Sequence, residues 1–267
     1  MRLLVYLPLF VLALSATLPA DEGSRLRVLC YNIHYGQGTD GRYDIPRLAK
    51  VIRESKPDLV ALQEVDVGVR RSSQIHEARV LGQLTKMAVR FGPTQHYDGG
   101  LYGNAVLSRL PIEDVFIQPL PYSESDSTRT TYPRGAIAVT VRLPNQHSIR
   151  FISTHFQHNV AEDRVAEANA ICKYFAGENH MPSILAGDMN AKPDSQPIAI
   201  LEKHWLHTAK APIAPTAPSV NPTSRIDYIF YQPGTKLKLI ESRVIDESLA
   251  SDHRPVLAVF EYEYQEK

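Results

Sequence analysis

The chain has 267 residues, 43% of them hydrophobic, and its 29 basic and 29 acidic side chains give a formal charge of zero. This composition is typical of a globular protein with a sizeable core, and it excludes a disordered, collagenous or disulfide-knotted chain. The balanced charge provides no global basic field that would attract nucleic acid or an anionic membrane, so any site that depends on charge must be local.

The first twenty residues have the pattern of a secretory signal peptide. Arg2 precedes an apolar run over residues 3–14, and small residues follow before the acidic pair Asp21 and Glu22. The run is shorter than the roughly 20 residues that a bilayer span requires. We therefore predict a signal peptide over residues 1–20, cleaved between positions 15 and 20, with an uncleaved membrane anchor as the alternative. The mature protein is expected to be secreted or periplasmic, with no stable membrane span, and its oligomeric state stays open.

Helices and buried strands alternate in the first half of the chain. Asp44 offers a cap to a helix that stops at Lys56-Pro57, and a continuously apolar strand runs directly into Glu64. The predicted elements are a strand over residues 26–32, a helix over 45–56, a strand over 58–62, a helix around 78–87 and a strand over 104–108.

The second half of the chain is richer in strands. A turn at Pro144-Asn145 predicts a hairpin, and the proline-rich stretch 212–222 predicts a loop. The predicted elements are strands over residues 136–143 and 149–154, a helix over 160–175, and strands over 183–186, 226–231, 238–244 and 255–262. This alternation favours one domain, residues 24–264, with mixed sheets packed face to face and covered by helices.

Most of these strands end in a residue that can bind a metal ion or move a proton. These residues are Asn32, Glu64, His155, Asp188 with Asn190, Asp227, and Asp252 with His253. Rigid strands hold short side chains at fixed positions, so strand ends are where sites gather in α/β proteins. Converging carboxylates repel unless a cation lies among them, and oxygen-rich, thiolate-free ligands favour Mg²⁺ or Mn²⁺.

Seven segments resemble the endonuclease/exonuclease/phosphatase superfamily of metal-dependent phosphoesterases, in the order in which that family has them. They are Tyr31–His34, Leu62–Val65, Tyr102–Arg109, Ser153–Phe156, Gly187–Asn190, Arg225–Tyr228 and Ser251–Val256. The resemblance spans residues 31–256. It implies an α/β/β/α sandwich of four layers, two mixed sheets with helices outside, and a cleft where the strand ends meet.

The resemblance also implies a metal site. Glu64 would bind Mg²⁺ or Mn²⁺, with Asn32 close by and Asp252 as a possible further ligand. Such an ion offsets the charge that grows on phosphoryl oxygens during hydrolysis.

The catalytic groups that the resemblance implies surround this ion. His253, oriented by Asp227, would be the general base or a phosphate-stabilising imidazole, and Asp188 would position or deprotonate the attacking water. Asn190 and His155 would hold phosphate oxygens. The choice of base between Asp188 and His253 stays open.

Five further residues are candidates for contact with the substrate. Arg70, Arg71 and Arg134 would place guanidinium groups at the mouth of the cleft, where bidentate contacts suit phosphate, or they are ordinary solvated arginines. Tyr102 would stack against a base or sugar, or else belong to the core. Asn104 would support the site or pair with the backbone.

The sequence therefore predicts a secreted divalent-metal-dependent phosphoesterase. The favoured reaction is hydrolysis of phosphodiesters by in-line attack of water. Its substrate is open among nucleic acid, a phospholipid headgroup and a small phosphate ester. The alternative is a non-catalytic protein of the same fold that binds a phosphate ligand or a partner.

Overall fold

Twelve strands form two sheets of six in the computed structural model, which describes residues 25–177, 181–234 and 236–262. In chain order the strands are β1 (Arg25–Asn32), β2 (Leu59–Val67), β3 (Ala88–Tyr97), β4 (Gly100–Ser108), β5 (Ile112–Pro119), β6 (Gly135–Arg142), β7 (Ser148–His155), β8 (Ser183–Asp188), β9 (Leu206–His207), β10 (Asp227–Tyr231), β11 (Leu237–Val244) and β12 (Val256–Tyr262). The α-helices of the described residues are α1 (Ile45–Ser55), α2 (Glu77–Thr85), α3 (Ala161–Phe175) and α4 (Gln196–Leu201). The predicted signal peptide lies outside the described residues.

The two sheets pack face to face and the helices cover their outer faces, as the resemblance implies. One sheet has the strand order β11-β12-β1-β2-β4-β3, and the other has the order β5-β6-β7-β8-β10-β9. Each contains one parallel pair, β1 with β2 and β7 with β8, among antiparallel pairs. The predicted four-layer sandwich of mixed sheets is confirmed. Within the described residues, no helix is both long and apolar enough to cross a membrane.

Three apolar layers hold the sandwich together. On β1, Val28 and Cys30 face the layer between the sheets, whereas Leu29 and Tyr31 belong to the layer that α1 and α2 cover. The third layer lies between the second sheet and helices α3 and α4, and it contains the fully buried Trp205. Strands buried on both faces need continuous apolar runs, which is why the central strands were readable from the sequence. Burial of each large aliphatic side chain contributes roughly 1.5–3 kcal/mol.

Helix α1 shows both of its predicted end signals. The Asp44 carboxylate accepts a hydrogen bond from Arg47 N–H (2.9 Å), and Pro46 lies in the first turn, where its missing N–H costs nothing. At the other end Lys56 adopts the left-handed conformation (φ 49°), and Pro57 follows it. The predicted helix is confirmed at both boundaries to within one residue.

Three strands that the sequence pattern did not predict lie at sheet edges, and the two-residue strand β9, which ends the second sheet, is the shortest of them. Strand β3 ends the first sheet and β5 begins the second. An edge strand is covered on fewer sides, so its side chains do not alternate cleanly between apolar and polar. On β5, three consecutive apolar residues, Val115, Phe116 and Ile117, are 37%, 45% and 42% exposed. Strand β4 begins at Gly100, four residues earlier than predicted. The prediction began too late because the glycines at 100 and 103 resemble turn residues in the sequence alone.

Candidate active site

The strand pairing brings polar side chains from both sheets to one edge of the sandwich. Asn32 ends β1 beside Gln63 of β2, and His155 ends β7 beside Asp188 of β8. Strand β10 runs antiparallel to β8 and begins with Asp227, opposite Asp188. The two parallel pairs, together with β10 running antiparallel to β8, therefore place these residues at one edge, as the strand-end argument predicts.

Asn32 joins the two sheets through its side chain, which is 1% exposed. The amide nitrogen donates hydrogen bonds to Glu64 Oε1 (3.0 Å) and Asp188 Oδ2 (3.1 Å), while the amide oxygen accepts one from His34 N–H (3.0 Å). Asn32 therefore acts here as a bridge between two carboxylates. Its predicted role as a metal ligand stays a prediction.

Glu64 reaches the site through an irregularity in β2. The pairing of β2 with β4 shifts register between Leu62 and Val65, and Glu64 adopts a φ of 58°. Such a bulge re-aims a side chain, and this left-handed conformation is uncommon for a residue other than glycine. Gln63 meanwhile points between the sheets, where its amide donates to Ser153 Oγ (3.1 Å). The bulge turns the Glu64 carboxylate towards the edge where Asn32 holds it.

His253 and Asp227 form a buried pair. His253 Nδ1 lies 3.0 and 3.2 Å from the two carboxylate oxygens of Asp227, and Nε2 lies 3.8 Å from Asp188 Oδ2. Ser251 fixes the preceding loop, since its hydroxyl donates to the Asn32 carbonyl (2.7 Å) and accepts from His253 N–H (3.2 Å). Burial acts to lower the pKa of His253, but the charges of Asp227 and Asp188 raise it well above its ordinary value.

The donor set fits a divalent cation. Asp188, Asp227 and His253 are all buried and each offers one ligand atom, the three lying within 4.8 Å of one another. Burial, followed by the charge of Asp227, raises the pKa of Asp188 to about 7. A bound cation would stabilise the ionised carboxylate against both the burial and the repulsion, and oxygen donors suit Mg²⁺ or Mn²⁺. This buried group contains Asp188 and Asp227, whereas the predicted ligands were Glu64, Asn32 and Asp252.

His155, Asn190 and Arg134 form the adjoining side of the site. Arg134, 6% exposed, approaches His155 Nδ1 (3.1 Å) and His158 Nδ1 (3.5 Å) with its two terminal nitrogens. The Asn190 amide nitrogen lies 3.0 Å from His155 Nε2, and Asn190 N–H donates to Asp188 Oδ1 (2.9 Å). Burial, with the charge of Arg134, lowers the pKa of His155 well below its ordinary value. The site thus offers a neutral imidazole beside a buried guanidinium.

These groups surround a cavity of about 330 Å³, here called the central cavity. The residues that line it are Glu64, Arg71, Gln95, Tyr97, Tyr102, Tyr132, Arg134, His155, His158, Asp188, Asn190 and His253. Asn32 and Asp227 lie behind this wall, where they contact Glu64, Asp188 and His253.

Besides Asn32 and Asp227, three further predicted residues do not line the central cavity. The Arg70 side chain is 71% exposed and pairs with Asp98 (3.2 Å), which favours the alternative of an ordinary solvated arginine, and its predicted contact with substrate stays a prediction. Asn104 is buried and donates to the Gly135 carbonyl (2.8 Å), which ties β4 to β6 and favours the backbone-pairing alternative. The Asp252 side chain is 45% exposed and its carboxylate lies 4.0 Å from His253 Nε2, at the margin of the site.

Arg71 lies in the wall, but its charge is already paired. Its guanidinium donates two hydrogen bonds to the buried carboxylate of Asp66 (2.8 and 3.0 Å) and lies 3.7 Å from the ring centre of Tyr35 and 4.5 Å from that of Tyr97. Arg71 therefore fixes aromatic side chains, in addition to lining the cavity. It follows Arg70 in a short 3-10 helix, where adjacent side chains point in different directions.

Four residues of the wall were not predicted: Gln95, Tyr97, Tyr132 and His158. Gln95 and Tyr97 belong to the unpredicted edge strand β3, so no periodic signal identified them. Tyr132 and His158 stack, with ring centres 5.6 Å apart and an angle of 28° between the planes. Tyr132 precedes Arg134 by two positions, and that proximity was the available signal.

Comparison with known proteins agrees with the geometry. The model of the endonuclease/exonuclease/phosphatase family matches residues 29–253. An endonuclease/exonuclease/phosphatase from Beutenbergia cavernae DSM 12333 is 26% identical, with a TM-score of 0.72 over 90% of this chain and 72% of that one. A mannosyl-6-phosphatase from Bacteroides thetaiotaomicron is 19% identical (TM-score 0.68; 89% and 100% covered), and the human Nocturnin catalytic domain is 17% identical (TM-score 0.68; 90% and 95% covered). No curated protein sequence matches.

Proposed function

This chain belongs to the endonuclease/exonuclease/phosphatase family, and from this premise we propose that it is a divalent-metal-dependent hydrolase of phosphate esters. One observation carries the proposal: Glu64, Asp188 and His253 line the same cavity as Arg134, so acidic groups and a guanidinium face one space. Acidic groups suit a cation and the guanidinium suits phosphate, and a phosphoesterase requires both together.

Of the acidic groups at the site, Glu64 and Asp188 line the cavity and would hold the cation, with Asp252 at the margin, whereas Asp227 and His253 are paired with each other. When bound, it supplies Lewis-acid stabilisation of charge on the phosphoryl oxygens. Asn32 keeps the Glu64 and Asp188 carboxylates apart at fixed positions, because its amide donates to both. Mg²⁺ and Mn²⁺ both suit these oxygen donors.

The remaining groups orient the substrate and the attacking water. Arg134, with Asn190 and His155, would hold the non-bridging phosphate oxygens. Asp188 and the Nε2 of His253 lie 3.8 Å apart, so a water on the cavity side of the pair would contact both groups and be positioned for in-line attack on phosphorus. Asp227 orients the imidazole by holding Nδ1, which leaves Nε2 directed at Asp188.

A panel of esters tests this proposal. We expect release of product from at least one of bis-p-nitrophenyl phosphate, p-nitrophenyl phosphate, plasmid DNA, RNA, sphingomyelin, inositol phosphates and sugar phosphates. The release should disappear with EDTA and in Asp188→Ala, and return when Mg²⁺ or Mn²⁺ replaces the chelator. A protein inert towards the whole panel with Mg²⁺, Mn²⁺ and Ca²⁺ would support the non-catalytic alternative instead.

Export is the second part of the proposal and rests on residues 1–20 alone. Expression of the full chain in a bacterial host, followed by cell fractionation and mass determination of the product, tests it. We expect a shortened protein outside the cytoplasm that begins between positions 16 and 21. A full-length protein in the membrane fraction would support the uncleaved anchor.

A further inference from the structure

The lining of the central cavity divides into two chemically different groups. The catalytic group consists of Glu64, His155, Asp188, Asn190 and His253, which contact one another directly or through Asn32. The aromatic group consists of Gln95, Tyr97, Tyr102, Tyr132 and His158. Arg134 contacts His155 of the first group and His158 of the second. A phosphate held at Arg134 would therefore have its ester substituent against the aromatic group.

The rings of the aromatic group are fixed before any ligand binds. Tyr132 stacks on His158, and Tyr97 packs at an angle on Tyr102, with ring centres 6.4 Å apart. Arg71 covers the Tyr97 ring and is itself held by two hydrogen bonds to buried Asp66. Rings ordered in this way lose little conformational entropy on binding, so they suit recognition of a ligand with a flat face.

The same wall carries hydrogen-bonding groups that are still available. The Gln95 side-chain amide and the hydroxyls of Tyr97 and Tyr132 make no hydrogen bond to any other residue of the described chain. Aromatic ring faces on the protein, combined with free hydrogen-bond donors and acceptors, match a ligand ring that bears hydroxyl groups. An aromatic ligand would use the faces and leave these polar groups to water.

Volume and charge limit the size of the substrate. The cavity of about 330 Å³ lies at the low end of the 300–1,000 Å³ that small-ligand pockets span. Two arginines line it, and Arg71 is paired with Asp66, which leaves Arg134 for one phosphate. A nucleic acid chain needs cations spaced along its backbone. The lining of the central cavity therefore offers one guanidinium, that of Arg134, and can bind one phosphate group in this way.

We propose that the aromatic group is a subsite for a sugar ring, and that the substrate is accordingly a small sugar phosphate. This inference rests on the proposed phosphoesterase function and narrows its substrate. Tyr97 and Tyr132 are the specificity-determining residues, because their rings and free hydroxyls would contact the sugar. Hydrolysis would add water across the P–O ester bond, releasing the free sugar hydroxyl and inorganic phosphate.

Steady-state kinetics with three phosphate monoesters test the subsite. We expect kcat/KM for a hexose 6-phosphate to exceed that for glycerol 3-phosphate, which has no ring, and for p-nitrophenyl phosphate, whose ring has no hydroxyls, by tenfold or more. Tyr97→Ala and Tyr132→Ala should each reduce the ratio of hexose to glycerol ester by about fivefold, as expected for loss of one ring contact. Tyr122→Ala removes an exposed tyrosine outside the cavity and should leave the ratio unchanged.

Three results would overturn the subsite: equal kcat/KM for the hexose and glycerol esters, preference for the aryl ester, or tyrosine variants that slow all three esters equally. Calorimetric titration of the hexose and glycerol esters into Asp188→Asn separates this inference from the hydrolase proposal. One outcome is that the hexose ester binds Asp188→Asn more tightly than the glycerol ester, in a way that is lost when Tyr132 is also replaced, while wild type shows no turnover of any ester. That combination would support the subsite and refute the hydrolase. Equal binding of the two esters would refute the subsite even if chelator-sensitive hydrolysis is found.

Discussion

Replacement of Glu77 by glutamine should flatten the pH dependence of folding stability. Glu77 begins α2 and is fully buried, and its Oε2 accepts a hydrogen bond from Asp66 N–H (2.7 Å). Burial, reinforced by the charge of Asp66, raises its pKa from the ordinary value of 4.5 to about 8, although the backbone hydrogen bond acts in the opposite direction. Between these two values the folded protein keeps a proton that the unfolded chain has lost.

The sign and size of the effect follow from proton linkage. Because the folded state binds the extra proton, this stabilisation is complete below pH 4.5 and is lost as the pH rises to about 8. At 1.36 kcal/mol per pKa unit, the loss is at most about 5 kcal/mol. Glutamine is neutral at every pH and retains an oxygen that accepts the Asp66 N–H bond, so the Glu77→Gln variant should not show this loss.

Urea unfolding at pH 5 and pH 9, followed by the fluorescence of Trp205, measures the effect, because Trp205 is the only tryptophan and is fully buried. We expect wild type and Glu77→Gln to have similar free energies of unfolding at pH 5, and the variant to be several kcal/mol more stable at pH 9. Glu54→Gln is the matched control, since the Glu54 side chain is 67% exposed. Parallel changes in wild type and Glu77→Gln between the two pH values would refute the reasoning.

Three further predictions concern the site and the core. Asp227→Asn should lower kcat about 100- to 10,000-fold, because His253 loses its orienting carboxylate, while the melting temperature changes by a few degrees at most; a kcat within threefold of wild type would contradict the pair. The affinity for Mn²⁺, measured by calorimetry, should fall as the pH decreases from 8 to 5, since the pKa of Asp188 is about 7 and a protonated carboxyl binds metal poorly; constant affinity would count against Asp188 as a ligand. Phe151→Ala should cost about 3–5 kcal/mol of unfolding free energy in urea, because Phe151 is fully buried between the sheets, and a loss below about 1 kcal/mol would show that the core collapses around the gap.

Residues at the ends of central strands could be placed from the sequence because two signals coincide there. A strand buried on both faces is a continuous apolar run, and the first polar residue after it marks the edge of the sheet. Glu64, at the bulge within β2, and Asp188, at the end of β8, both follow such runs. The resemblance to a known family then gave these positions their chemistry.

The aromatic side of the central cavity could not be placed in this way. Tyr97 lies on an edge strand, where both faces are partly solvated and the sequence does not alternate. The bidentate bond between Arg71 and Asp66 depends on the side-chain direction in a 3-10 turn, which residue spacing does not define. Asn104 could equally have supported the site or paired with the backbone, and only the proximity of the Gly135 carbonyl distinguishes the two.

The most direct test of the central claim is to return metal to the metal-free protein. Wild type and Asp188→Asn, both stripped with EDTA and dialysed, would be titrated with Mn²⁺ while phosphate release from the preferred ester of the panel is followed. The account predicts no release without metal, saturable recovery in wild type, and at most a hundredth of that rate in the variant. Equal rates in the two proteins, or full activity without added metal, would contradict it.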